Sequence, residues 1–146
     1  MTQRDSTLTR ATGLNVLVVD DERYTREIMT VLIAALGHRV HAVDSGRAAL
    51  DWLLVERRPV DVILMDVLMP GLDGLETVRR LRADPASKPV AIVGLSAKAS
   101  GTVRAEGLQA GCDVYLTKPV REDRIFAAIT EALMLKGRLS PGETFA

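Results

Sequence analysis

Five repeats of one pattern, a short apolar run followed by a segment of helical periodicity, predict an α/β fold: one parallel sheet with helices on both faces, joined by right-handed crossovers. Three observations carry this. The runs Asn15–Val19, Val60–Met65 and Pro89–Leu95 are close to continuously apolar, as strands buried on both faces require. The segments between them repeat apolar residues every three or four positions, and the connections are a few residues long.

Taken in order, Met1–Gly13 is polar and aperiodic and is expected to be a flexible tail. Asn15–Val19 is the first strand and stops at Asp20-Asp21-Glu22. From Tyr24 to Leu36, Ile28, Val31, Leu32, Ala35 and Leu36 keep helical spacing, and Gly37 ends the helix. His38–Val43 is the second strand. Asp44 or Ser45 caps a helix through Ala48, Ala49, Trp52 and Leu53 to about Glu56, closed by Pro59. The third strand runs into Asp66 and breaks at Met69-Pro70-Gly71. A third helix through Leu75, Val78, Arg79 and Leu81 stops at Asp84-Pro85. The fourth strand delivers Ser96, and a Gly-interrupted helix spans Thr102 to Ala110 with Gly111 as its C-terminal cap. Val114–Thr117 is a short fifth strand delivering Lys118. The last helix, Arg121 to about Lys136, buries Ile125, Phe126, Ile129 and Leu133 on one stripe. Residues 14–136 are thus expected to form the domain, and 137–146 a second flexible tail.

With 146 residues, one domain is expected, large enough for a core without disulfides or structural metal. Nineteen basic side chains balance nineteen acidic ones, so no basic excess argues for nucleic acid. The single cysteine, Cys112, excludes an intrachain disulfide framework and suits a reducing compartment. No apolar run approaches a membrane span or a signal-peptide core, so the expectation is a soluble cytoplasmic protein with no membrane contact.

Strand ends carry the chemistry. Asp20 and Asp21, Asp66, Ser96 and Lys118 close the first, third, fourth and fifth strands, so all point into the crevice at the carboxyl edge of the sheet, where such folds bind ligands. Each has a plain structural alternative. The acids after the first strand can cap a helix, for about 0.5–2 kcal/mol; Ser96 can be an N-cap; a lone lysine is ordinarily a surface residue. Together they make a site for a hard cation and a phosphate. Carboxylate oxygens suit Mg²⁺, and a lysine neutralises a phosphoryl oxygen as a point charge.

The set Asp20-Asp21, Leu64-Met65-Asp66, Met69-Pro70 with Asp73-Gly74, Leu95-Ser96-Ala97 and Thr117-Lys118-Pro119 resembles the receiver domain of two-component response regulators, in order and in spacing. The stretch around Leu95–Ala99 and Ala110–Asp113 also looks like receivers fused to hybrid histidine kinases. The resemblance implies a flavodoxin-like (βα)5 doubly wound sheet of strand order 2-1-3-4-5. It implies Asp66 as phosphoacceptor and a Mg²⁺ (or Mn²⁺) site made of Asp21, Asp20 through water, Asp66 and the main-chain carbonyl of Leu68. Ser96 and Lys118 would contact the phosphoryl group, and Leu68 and Lys98 would flank the path of hydrolytic water and set the lifetime of the mark. Leu68 is aliphatic where the family often has a polar or longer residue.

The partners so implied are a histidine kinase or histidine phosphotransfer protein upstream and a downstream protein, with a homodimer as the alternative. The switching face would be the fourth helix, fifth strand and fifth helix. Tyr115, three residues before Lys118, lies on the opposite face of its strand and faces the fourth helix. Either its ring is half-buried with the hydroxyl in water, or it turns inward when the phosphoryl group draws Ser96 towards itself. Gly101, Gly107 and Gly111 weaken that helix, each interior Gly costing about 1 kcal/mol against Ala. Lys118-Pro119 is expected to be cis, since X-Pro bonds lose only about 0.5–1 kcal/mol in that form.

Two other functions compete. A haloacid-dehalogenase-type phosphatase also sets an Asp nucleophile, Ser and Lys around Mg²⁺, but its second Asp would fall at Leu68. A degenerate receiver acting as a scaffold is disfavoured because each phosphorylation-site residue is present. No enzymatic activity beyond the domain's own phosphorylation and dephosphorylation is expected, and no output module fits after Lys136. His38 and His41 bracket the second strand away from the crevice, Met29, Trp52 and Met134 fit packing, Cys112 is an inert thiol, and Arg79, Arg80 and Arg82 read as a solvated face.

Overall fold

The structure is a computed structural model that describes residues 8–69, 73–97 and 101–146. In chain order its elements are β1 (Thr9–Arg10), β2 (Asn15–Val19), α1 (Arg23–Ala35), β3 (Arg39–Val43), α2 (Gly46–Leu50), β4 (Val62–Asp66), α3 (Gly74–Ala83), β5 (Ala91–Ser96), α4 (Gly101–Ala110), β6 (Val114–Thr117), α5 (Glu122–Leu135) and β7 (Glu143–Thr144). The five runs anticipated as strands pair in parallel in the order β3-β2-β4-β5-β6, the expected 2-1-3-4-5. Every residue of β4 and β5 is buried, which explains their unbroken apolar character.

Successive side chains on a strand face opposite ways, so each run supplies two cores. Val16, Val18, Leu64 and Val93 pack with Met29 and Ile33 of α1 and Ile129 and Leu133 of α5. Leu17, Ile63, Met65 and Ile92 meet Leu50 of α2 and Val78 and Leu81 of α3 on the other side.

Two side chains cap helices, and the first of them, Ser45, was expected to. Ser45 Oγ accepts from the Ala48 amide at 3.1 Å and starts α2, and Asp73 Oδ1 accepts from the Glu76 amide at 2.7 Å and starts α3. The helix expected to run unbroken to Glu56 instead widens after Leu50 into a π turn, Asp51–Val55. Within it Leu53 stays buried while the Trp52 ring stacks on His41, centroids 3.6 Å apart at 6°, with the Arg58 guanidinium 5.0 Å from the indole. A spacing argument built on 3.6 residues per turn cannot anticipate that widening.

Of the terminal segments expected to be flexible, residues 8–13 and 137–146 instead fold onto the domain, and residues 1–7 lie outside the described residues. Thr9–Arg10 and Glu143–Thr144 form a two-stranded parallel sheet, and Phe145 is fully buried. Its ring stacks on His38 with centroids 4.2 Å apart at 9°, its amide donates to Thr130 Oγ1 at 2.9 Å, and its carbonyl lies 2.8 Å from His38 Nε2. Arg138 adds an ion pair to Asp61 at 2.6 Å. One large aromatic and Leu139 supply enough apolar surface to hold a segment whose Gly, Ser and Pro content reads as free.

Candidate functional site

The crevice is assembled from strand ends. Asp20 follows β2, Asp66 closes β4, Ser96 closes β5 and Lys118 follows β6. The strands are tied to their neighbours at this edge: the Asp20 amide donates to Val43 O at 3.1 Å, Val67 to Leu95 O at 2.9 Å and Lys118 to Ser96 O at 2.7 Å. The Lys118–Pro119 bond is cis, as expected. Lys118 Nζ stands 3.4 Å from Asp20 Oδ2 and 3.6 Å from Asp66 Oδ2, joining two buried carboxylates.

Asp20, Asp21 and Asp66 can bring one carboxylate oxygen each within 4.8 Å of the others. The acids after β2 are not a helix cap: Glu22 makes no side-chain cap bond to α1, and Asp20 Oδ1 accepts instead from the Glu22 amide at 2.9 Å. Burial pushes the Asp66 carboxyl above its ordinary range; the Leu68 amide, 3.1 Å from Oδ1, and Lys118 oppose this, while Asp20 and Asp21 add to it. At Lys118 burial works against the charged form, but the two carboxylates outweigh it and hold the ammonium on. Three carboxylates against one nearby ammonium leave an excess of negative charge at the edge. That donor set, all oxygen, fits a hard divalent cation.

Ser96 is fully buried at the end of β5. Leu68, two residues after the acceptor, is 42% exposed, so its side chain is not part of the core. Lys98, expected to flank the same path, lies outside the described residues. Tyr115 faces α4, as its strand position requires, but its ring is 1% exposed, so a half-exposed ring with a wet hydroxyl is not what the structure has. The hydroxyl makes no hydrogen bond of good geometry among the described residues. Burial raises its pKa, and the Ser96 hydroxyl offsets this only in part. His38 and His41 are both engaged in stacking far from the crevice.

One contributor, Arg26, escaped sequence reasoning, and another, Gly74, was named only within the Asp73-Gly74 motif and without its role. Arg26 Nη1 donates to the Asp20 carbonyl at 2.9 Å and fixes the loop that carries the acid pair. Gly74, at the start of α3, is so close to the acceptor strand that a Cβ would stand 2.5 Å from Val67 Cα and 2.6 Å from Asp66 O. Neither role can be read from composition or spacing, since each depends on what folds against the residue. Beside Asp66 and Lys118 a groove of about 670 Å³ opens between α1 and α5, walled by Tyr24, Ile28, Met29, Val120 and Ile125.

The sequence model for the response regulator receiver domain matches residues 16–130. Response regulator MprA of Mycolicibacterium vanbaalenii is 39% identical over 120 residues, which is 82% of this chain and 50% of that protein. The phosphate regulon transcriptional regulatory protein PhoB of Pseudomonas aeruginosa is 33% identical over 134 residues, 92% of this chain and 56% of that one. This chain therefore spans about half the length of these curated relatives. Among solved structures, the receiver domain of the sensor histidine kinase PA1611 from P. aeruginosa, with a magnesium ion coordinated in its active-site cleft, superposes with a TM-score of 0.74 at 32% identity, covering 84% of this chain and 99% of that one. The sheet order, the acidic crevice and these matches agree, and the chain belongs to the response regulator receiver domain family of two-component signalling.

Proposed function

We propose that Asp66 is the phosphoacceptor of this receiver, taking its phosphoryl group from a histidine kinase or histidine phosphotransfer protein. The observation that carries the reading is a buried carboxylate at the end of a central strand, with Lys118 at 3.6 Å and two further carboxylates beside it. An Asp66 carboxylate oxygen attacks phosphorus, the P–N bond to the donor imidazole breaks, and its electron pair returns to the ring, which leaves the acceptor as an acyl phosphate. Lys118 offsets charge on the equatorial oxygens, and Ser96 donates a hydrogen bond to one of them. Mg²⁺ or Mn²⁺, held by Asp20, Asp21, Asp66 and the Leu68 carbonyl, supplies further charge neutralisation when bound. Leu68 and Lys98 flank the approach of water and tune how long the mark lasts.

The apolar groove between α1 and α5 suits a helix of the phosphodonor protein, because it opens directly onto Asp66 and Lys118. Output passes through the face of α4, β6 and α5 to a downstream protein or a second copy of the chain, in the cytoplasm. The phosphatase reading loses its general acid at Leu68, and a pure scaffold would have no use for two buried acids beside a third.

The test is phosphorylation by acetyl phosphate with Mg²⁺, read by intact mass. One phosphoryl group should be gained, hydroxylamine should remove it, and Asp66→Asn should abolish it; label at equal yield in that variant would refute the assignment. Asp21→Ala should weaken Mg²⁺ binding in calorimetric titration by at least about tenfold, and unchanged affinity would misplace the metal site.

A further inference from the structure

The chain leaves β2 for the acid pair through two peptide units, and each is held from outside the loop. The Asp20 amide donates to the Val43 carbonyl of β3 at 3.1 Å, and the Asp20 carbonyl accepts from Arg26 Nη1 of α1 at 2.9 Å. That carbonyl belongs to the planar unit joining Asp20 to Asp21, so holding its oxygen fixes the plane in which the Asp21 Cα lies. Arg26 is itself anchored, since its amide donates to the Glu22 carbonyl at 3.1 Å and closes the first turn of α1. The two acids differ in their own support. Asp20 is buried, with Oδ1 accepting from the Glu22 amide at 2.9 Å and Oδ2 3.4 Å from Lys118 Nζ. Asp21 is exposed, and among the described residues no hydrogen bond or ion pair holds its carboxylate, so its place is set by the backbone. Charge opposes that place: Asp20, Asp21 and Asp66 bring one oxygen each within 4.8 Å of the others, and three carboxylates against one ammonium repel.

We propose that Arg26 is a positioning residue of the cation site: by holding the Asp20 carbonyl it keeps Asp21 within ligand reach of Asp66 before any cation arrives. The inference rests on the reading of the acidic crevice as a divalent-cation site. Two effects of this side chain have opposite signs. Its charge repels an incoming cation, while its hydrogen bond removes the cost of drawing the acid loop in against its own repulsion. The tether dominates, because the half-buried guanidinium also borders an open cleft of about 510 Å³ with Thr30, Val31 and Ala42, where water and salt screen its charge, whereas the bond acts directly on the backbone. Removing the guanidinium separates the two: loss of charge alone would tighten cation binding, and loss of the tether weakens it.

The test variant is Arg26→Met, which keeps an apolar stem and removes donor and charge together; Arg26→Gln, too short to reach the same carbonyl, replaces it if the first fails to fold. In calorimetric titration of the full chain with Mg²⁺, affinity should fall about tenfold, the usual size for losing a partner that orients a metal ligand. Equal or tighter binding would overturn the proposal. Arg26→Lys should recover most of the loss, because a single carbonyl acceptor does not need the guanidinium fork. Phosphorylation by acetyl phosphate should need about tenfold more Mg²⁺ for its half-maximal rate, with a smaller change in the maximal rate; a fall confined to the maximal rate would count against the tether. A readout without metal is the Glu22 amide, bonded to Asp20 Oδ1: in EDTA its hydrogen exchange should be faster in Arg26→Met than in the parent, while amides within β2 stay unchanged. Unchanged exchange at Glu22 would also overturn the proposal. A parent protein that binds no Mg²⁺ would defeat the cation-site reading itself, whereas a parent that binds it no more tightly than the variant defeats only the part given to Arg26.

Discussion

Arg82 of α3 donates through Nη2 to Asp113 Oδ2 at 2.9 Å, and both side chains are nearly withdrawn from solvent, 14% and 10% exposed. The same guanidinium donates to the Gly111 carbonyl at 2.9 Å, to that of Lys88 at 2.6 Å and to that of Val90 at 2.5 Å, and Asp113 also meets Lys136 at 3.2 Å and the Ile92 amide at 2.8 Å. The pair thus joins α3, β5, α5 and the loop before β6. Arg82→Ala should lower stability by about 2 kcal/mol in urea unfolding, since it leaves three carbonyls without this donor and the nearly buried Asp113 carboxylate with only Lys136 and the Ile92 amide. Arg82→Lys should recover little of this, because an ammonium cannot fork to four acceptors. A loss below about 1 kcal/mol would reduce the pair to an ordinary surface contact.

Phe145 is the anchor of the C-terminal strap. Phe145→Ala should cost about 3 kcal/mol, the usual cost of truncating a buried ring, and should make the segment after Lys136 the first site of limited proteolysis. Phe145→Leu should retain part of the stability. Protease resistance unchanged in the alanine variant would show that the β1–β7 pairing holds without the ring.

The raised Asp66 carboxyl has a definite sign in stability. A carboxyl with a folded pKa above its unfolded value binds more protons when folded, so stability falls as pH rises from the ordinary 3.8 through the folded pKa. Asp66→Asn removes that cost. In EDTA at neutral pH the variant should be more stable than the parent by on the order of 1 kcal/mol, and the gap should close as pH drops through that window. Equal stability at neutral pH would mean that Lys118 compensates the charge in full.

Burial pushes the Cys112 thiol up to about 12, so it is neutral across the working range. Since only the thiolate is nucleophilic, iodoacetamide at pH 8 should leave the native protein unlabelled over hours and modify it within minutes in urea. Rapid native labelling would show that the packing around Gly94 and Tyr115 opens readily.

The sheet and its edge were legible because both depend on local signals. Apolar runs of strand length, helical spacing and short links imply the alternation, and the alternation puts the residues after each run at one edge, so Asp20, Asp66, Ser96 and Lys118 could be collected before any coordinates. Features set by tertiary partners were not. Arg82 sits among Arg79 and Arg80 and reads like them until Asp113 folds against it. Phe145 is one aromatic in a polar stretch, and its burial depends on His38, more than a hundred residues away in sequence. Gly107 reads as helix weakness, and only the structure puts the Tyr115 ring 2.3 Å from where its β-carbon would stand.

The contact of Gly74 with the acceptor strand bears on how much sequence this turn can tolerate. Any β-carbon there would have to displace the main chain of Asp66 and Val67, with no flexible side-chain end to give way. In a library randomised over residues 73–76 and selected only for folding, position 74 should return glycine almost alone, while Leu75 should accept other apolar residues. The constraint would then come from chain geometry and would persist in variants that have lost Asp66 and every phosphorylation function with it.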